Sequence, residues 1–78
     1  MHGSFNGVSL RRITSAAEEY VGNNTTFRVL EFPLPDLEAQ LHLNAPALII
    51  LWDRTVEGRI TRYDSDRRNW YEFTIESK

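Results

Sequence analysis

The alternation of apolar and polar residues is most regular near the C-terminus. In the stretch "RNWYEFTIE", Tyr71, Phe73 and Ile75 fall on one side of an extended chain. Trp70 falls on the other side, among charged and polar residues. Strict alternation over this length is typical of a β-strand with one buried face. The stretch "VEGRITRYD" alternates in the same way, and the two together predict an antiparallel hairpin that turns between residues 64 and 69.

The same alternation predicts how the two strands of this hairpin pair. If Ile60 lies opposite Phe73, the apolar side chains of both strands meet on one face. That register brings Tyr63 opposite Trp70 on the other face. A slip of one residue would turn every apolar side chain to solvent, so we expect the register to be well defined.

Two earlier stretches also have strand character. The stretch "TTFRVLEF", residues 25 to 32, is rich in β-branched and aromatic residues, and it ends at Pro33, which cannot donate a ladder hydrogen bond. The stretch from Leu48 to Trp52 is apolar on both faces. That pattern indicates either a central strand covered on both sides or a strand at a subunit contact.

The N-terminal part of the chain has helical spacing instead. In "SLRRITSAAEEYVGNN", Leu10, Ile13 and Ala17 recur every three to four residues, and Gly22 follows as a stop signal. A shorter helix, from about residue 16 to 21, would avoid placing two arginines at the positive helix N-terminus. The preceding "GVSLRRIT" would then be extended. We favour the longer helix.

The stretch "DLEAQLHLN", residues 36 to 44, fits two structures. Its leucines and alanine alternate strictly, which indicates a strand. Leu34, Leu37 and Leu41 would also form one stripe of a helix capped by Asp36. We favour the strand, because a helix of nine residues is marginal.

These elements predict one small α+β domain over residues 1–78, with residues 1–8 as a loose lead-in. One N-terminal helix packs on an antiparallel sheet of four to five strands that ends in the C-terminal β-hairpin. The predicted core consists of Leu10, Ile13, Ala17, Tyr20, Phe27, Val29, Leu41, Leu48, Ile50, Ile60, Phe73 and Ile75.

Composition limits what can stabilise such a domain. A chain of 78 residues buries only about 60% of its unfolded surface, and small domains often add a disulfide, a metal or a second subunit. Cysteine is absent, and His2 and His42 lack ligand-like spacing, so we predict neither a disulfide nor a metal site. A homodimer therefore remains as the additional source of stability.

No catalytic or cofactor motif occurs in the sequence. The chain lacks a complete nucleophile elbow and a glycine-rich phosphate loop. No cofactor is therefore predicted, and an enzyme would require residues that assemble only in the fold. The chain has no apolar run of about 18 residues and no secretory signal pattern, so we expect a cytoplasmic protein without a membrane span.

The candidate binding site is the outer face of the predicted hairpin. Tyrosine, tryptophan and arginine are the residue types typical of binding hot spots. We therefore predict a non-catalytic interaction or regulatory module that docks a protein partner, or a second copy of itself, through this face. The predicted partner-binding residues are Arg59, Arg62, Tyr63, Arg67, Arg68 and Trp70.

Two alternatives use the same residues. The aromatic pair could only stabilise the hairpin, by about 0.2–1 kcal/mol. The face could also bind single-stranded nucleic acid, with bases on the rings and phosphates on the arginines. Asp64, Asp66 and Glu72 interleave with those arginines, and the net charge is −2. Both observations weaken phosphate binding, so we rank a protein partner above nucleic acid.

Overall fold

The computed structural model describes residues 2–19, 23–66 and 69–77, and for residues 15–19 it describes the backbone alone. The described residues form seven β-strands in one antiparallel sheet and a single short helix. The sheet order is β2-β1-β5-β6-β7-β4-β3. In chain order the elements are β1 (Gly3–Phe5), β2 (Val8–Leu10), β3 (Ile13–Glu19), β4 (Asn24–Val29), α1 (Pro35–Glu38), β5 (Pro46–Leu51), β6 (Thr55–Asp66) and β7 (Trp70–Ser77).

The sheet curls into a half-barrel because its two edge strands are neighbours in sequence. β2 forms one edge and β3 the other, yet only Arg11 and Arg12 lie between them. The carboxylate of Glu31 accepts hydrogen bonds from the backbone N–H groups of both arginines, at 2.6 and 3.2 Å. The N–H of Leu30 donates to the Arg12 carbonyl at 2.8 Å. These contacts hold the two edges of the sheet at one place.

The concave face of the sheet contains the core. Phe73 lies at its centre, with its ring 5.1 Å from that of Phe5 and 5.8 Å from that of Phe27. The fully buried Leu37 adds the side chain of α1 to this cluster. The buried apolar residues are Phe5, Leu10, Ile13, Phe27, Val29, Leu37, Leu41, Ala45, Ala47, Ile49, Leu51, Ile60, Tyr71, Phe73 and Ile75.

The predicted α+β fold with an N-terminal helix is wrong, because that segment forms β2 and β3. Leu10 and Ile13 are fully buried, as predicted, but they are the last residue of one strand and the first of the next. The extended alternative for this segment avoids two cations at a helix N-terminus. Tyr20 and Val21 lie outside the described residues, and so does the side chain of Ala17.

The strand predicted for residues 36 to 44 is also wrong. The chain forms the single helical turn α1, with Pro35 in its first turn and no side-chain cap from Asp36. Leu37 and Leu41 are buried and Leu34 packs partly against the core, so these three residues form the helical stripe of the alternative. Proline is favoured at the first helical position because it has no N–H to satisfy there.

Residues 3–10 form a β-hairpin, although a loose lead-in was predicted for residues 1–8. β1 pairs with β2 through a two-residue turn, Asn6-Gly7, and both turn residues have positive φ, 47° and 87°. Asn-Gly is the preferred sequence for such hairpin turns. The side-chain oxygen of Asn6 also accepts from the Leu48 N–H at 2.7 Å, so the turn is fixed to β5.

The C-terminal hairpin is present, but the predicted register is wrong. Ile60 was expected opposite Phe73, whereas Tyr63 occupies that position. The pairing shifts at a β-bulge just after Ile60, where one extra residue enters β6. Beyond the bulge, Asp66 and not Tyr63 lies opposite Trp70. An extra residue exchanges the faces of all side chains that follow it, relative to strict alternation.

Candidate functional site

The structure separates the two aromatic residues of the predicted binding face. Tyr63 lies opposite Phe73 on the concave face, whereas Trp70 lies on the convex face. The predicted cross-strand pair is therefore absent, and the two rings lie on opposite faces of the sheet. Arg67 and Arg68, which belong to the same prediction, lie outside the described residues.

Trp70 is half-buried, and its ring already forms a cation–π contact within the protein. The guanidinium of Arg28 lies 5.2 Å from the centre of the Trp70 ring. Arg28 also forms an ion pair with Glu72, with 2.7 Å between Nη2 and Oε2. The three side chains form one cluster across β4 and β7. Arg28 could not be assigned to this cluster from the sequence, because the pairing of β4 with β7 joins residues far apart in the chain.

The two described arginines of the predicted site lie on the convex face of β6. Arg59 donates from Nη1 to the carbonyl oxygen of Asn44 at 2.9 Å. Arg62 borders a shallow depression of about 260 Å³ together with the carboxylates of Asp64 and Glu72. Charges of both signs therefore line this depression.

The convex side of β5 carries the exposed apolar residues Leu48 and Ile50, and the exposed Trp52 follows in the turn after the strand; we call these three residues the β5 stripe. These side chains are 36%, 47% and 78% exposed. Leu48 and Ile50 were predicted to be in the core, and that prediction is wrong. The alternate residues of β5 fill the core instead. When both faces of a strand are apolar, periodicity cannot indicate which one is inside.

A cleft of about 490 Å³ opens on the concave face near the turn of the C-terminal hairpin. We call it the concave cleft. It combines aromatic rings, one leucine, one hydroxyl and one carboxylate. Its lining residues are Phe32, Glu38, Leu41, Tyr63, Ser65 and Tyr71. Among these, Tyr63 alone was a predicted site residue, because the others come together only through the curl of the sheet and the position of α1.

Tyr71 organises the interior of the cleft. Its ring stacks on that of Phe32, with 5.8 Å between the ring centres and 29° between the planes. Its hydroxyl oxygen accepts a hydrogen bond from the Leu34 N–H at 3.0 Å. Burial raises the pKa of Tyr71, and the hydrogen bond from the Leu34 N–H lowers it. A hydrogen bond that the hydroxyl donates to the Glu38 carboxylate raises the pKa, as does the negative charge of Glu38, and the net shift is upward. The hydroxyl is therefore neutral at ordinary pH.

Over the described ranges, no three or more histidine, aspartate and glutamate side chains are grouped so that they could hold a metal ion. Within the same ranges, no helix is long and apolar enough to cross a membrane. The chain matches no family model, no curated protein and no solved structure. The functional argument therefore depends on the geometry of the β5 stripe and of the concave cleft.

Proposed function

We propose that this protein is a non-catalytic interaction module that docks a second copy of itself through the β5 stripe. The observation that carries the proposal is the exposure of three large apolar residues close together in sequence, Leu48 and Ile50 on β5 and Trp52 directly after it. Single exposed apolar residues are normal on a protein surface. A contiguous group is different, because it leaves apolar area in water that a partner can cover.

The positions along β5 favour a second copy as the partner. Consider a two-fold axis that lies between the convex faces of two copies, runs perpendicular to the strands and passes over the paired residues Ile49 and Val56. Rotation about this axis places the β5 stripe of one copy antiparallel to that of the other. Leu48 of one copy then faces Ile50 of the other, and Pro46 faces Trp52. A self-complementary row of this kind is what an isologous two-fold contact requires.

Two of the charges beside the β5 stripe fit the same arrangement. On β6, Arg59 lies next to Pro46, whereas Asp53 is exposed in the turn that follows Trp52. The reversal that places Pro46 against Trp52 also directs Arg59 of one copy towards Asp53 of the other. Two such contacts would form the polar rim around the apolar centre, as in known interfaces.

The expected dimer is small and reversible. Two convex faces touch along a strand and not over a whole sheet, so the contact falls in the class of interfaces below about 1,200 Å² that are weak or transient. Aromatic residues such as Trp52 dominate the energy of such contacts. We therefore expect a monomer–dimer equilibrium that depends on protein concentration.

The test is sedimentation velocity over a concentration series with a matched pair of variants. We expect the wild-type weight-average mass to rise with concentration. Ile50→Glu buries a charge in the contact and should abolish the rise. Arg62→Glu introduces the same side chain on the convex face away from the β5 stripe, and it should dimerise like the wild type. A wild-type protein that stays monomeric at millimolar concentration would contradict the proposal.

A further inference from the structure

The concave cleft and the β5 stripe lie on opposite faces of the sheet, so what the cleft binds is a separate question. Two of its rings are accessible despite their size, with Phe32 39% and Tyr63 46% exposed. They come from different elements, since Phe32 follows β4 and Tyr63 belongs to β6. Tyr71 and Leu41 are buried and form the base between them. The lining is therefore aromatic on more than one side.

The charge of the lining favours one class of ligand. Glu38 is the one charged residue among the described residues that line the cleft. The faces of aromatic rings are also electrostatically negative, and they attract cations that lie within about 6 Å of the ring centre. The Glu38 carboxylate and the ring faces therefore both make the cleft electrostatically negative. This potential attracts a cation, repels an anion and gives a neutral ligand no electrostatic attraction.

The fold of the protein positions the Glu38 carboxylate at the cleft. Glu38 ends α1, the helical turn that the buried Leu37 anchors in the core. The Tyr71 hydroxyl beside it accepts from Leu34 and interacts with Glu38. A volume of about 490 Å³ lies within the usual range of ligand clefts, about 300–1,000 Å³. The cleft is thus large enough for a whole amine-bearing group.

We propose that the concave cleft binds an organic cation, with the rings of Phe32 and Tyr63 facing the charge and Glu38 balancing it. Two sources supply this chemistry: a free alkylammonium compound, or the basic side chain of a peptide. Both place a positive charge, attached to apolar carbon groups, between the rings, which is the arrangement that cation–π attraction stabilises.

The test compares a cation with a neutral molecule of the same shape. Choline is titrated into isotopically labelled protein and followed by NMR, in parallel with its neutral isostere, in which carbon replaces the charged nitrogen. Acetylated and amidated lysine and arginine form the peptide arm. We expect the cations to bind at least about fivefold more tightly than the isostere, with the shifts centred on the cleft. The tighter of the two cation arms identifies the source. Equal affinity for isostere and cations, or no binding of any cation, would overturn the proposal.

Variants at exposed lining positions test the roles of the rings and the charge. Tyr63→Leu removes a ring but keeps an apolar side chain, and it should weaken choline binding by about two- to fivefold. Tyr63→Phe keeps the ring and should bind like the wild type. Glu38→Gln keeps the shape but removes the charge, and it should weaken binding by a similar factor and reduce the salt dependence. Thermal unfolding checks that each variant is folded. A folded Tyr63→Leu with unchanged affinity would contradict the assigned role of the ring.

Discussion

Tyr71 connects the core to the concave cleft through one side chain. Its ring is fully buried and stacks on Phe32, whereas its hydroxyl accepts from the Leu34 N–H and lies near Glu38. A buried hydroxyl is tolerated only when it is hydrogen-bonded, because the loss of solvation is otherwise uncompensated. The contact to Leu34 therefore also fixes the segment that leads into α1.

The raised pKa of Tyr71 predicts how stability depends on pH. Below the unfolded value, about 10, the hydroxyl is protonated in both states and the contribution is complete. As the pH rises above that value, the unfolded chain loses the proton while the folded protein keeps it. The unfolded state then binds fewer protons, so the free energy of unfolding falls with pH.

We expect Tyr71→Phe to reveal this effect in chemical denaturation experiments. At neutral pH the variant should be less stable by about 1 kcal/mol, because the Leu34 N–H loses its acceptor. The difference from the wild type should shrink as the pH rises above about 10, since phenylalanine cannot ionise. Tyr63→Phe, at a half-exposed position, serves as the control. A difference that stays constant over this pH range would contradict the role given to burial.

At the scale of elements, sequence periodicity located four of the seven described strands and the buried faces of β4 and β7, but it gave the wrong face for β5 and for the part of β6 beyond its bulge. The stretches around Phe27, Ile49, Ile60 and Phe73 do form β4, β5, β6 and β7. However, a single inserted residue in a strand changes the face on which all the following side chains lie. The bulge after Ile60 is invisible in an alternating sequence, and it moved Tyr63 from the predicted convex face into the cleft. That single insertion separates Tyr63 from Trp70, which the prediction had paired across the hairpin.

Other errors came from local signals that agree with more than one structure. Because β5 is apolar on both faces, its sequence fits either orientation; Ile50 was included in the predicted core and Ile49 was not, whereas Ile49 is buried and Ile50 is exposed. The spacing between Leu10 and Ile13 suits a helix, yet it also fits two strands joined by a two-residue link. The Asn6-Gly7 signal was informative and would have predicted the first hairpin. Glu38 and Phe32 belong to no sequence motif, so the cleft could be recognised only from the tertiary structure.

The spacing between β6 and β7 depends on Gly58. A Cβ at this position would overlap the backbone carbonyl of Glu76 and approach the Ile75 side chain at 3.0 Å. The backbone cannot move aside as a flexible side chain could, so we expect Gly58→Ala to lower the free energy of unfolding by about 1–3 kcal/mol.

Thr55→Ala, on an exposed position of the same strand, is the matched control for Gly58→Ala, and it should change stability by about 0.5 kcal/mol or less. Urea denaturation of both variants gives the comparison. Equal stabilities of Gly58→Ala and the wild type would show that the two strands are not packed as closely as described.

At the scale of the whole molecule, the curl of the sheet creates both candidate surfaces. It encloses the core and the cleft on one side and turns the β5 stripe outward on the other. The curl is fixed where Glu31 accepts from the N–H groups of Arg11 and Arg12. A carboxylate that receives two backbone donors contributes more than a neutral acceptor, because charge-assisted hydrogen bonds are stronger.

We expect Glu31→Ala to destabilise the protein by about 0.5–1.5 kcal/mol, since two exposed backbone donors exchange a charged acceptor for water. Hydrogen exchange should accelerate first at residues 11 and 12 and then along the two edge strands. Glu76→Ala removes an exposed carboxylate from β7 and controls for the change in net charge. Uniform exchange in Glu31→Ala, no faster at the link than elsewhere, would argue against this role.

The two-residue link also protects the outermost strands. An unpaired strand edge presents free backbone donors and acceptors, which act as a template for aggregation. Here β2 and β3 are joined directly, so neither can separate from the sheet without pulling on the other. A proteolytic cut between Arg11 and Arg12 would remove this mutual restraint while leaving every other covalent bond intact. The nicked protein should consequently retain its core but expose both outer strands to other molecules, and precipitation of protein cleaved at this single bond would be the visible result.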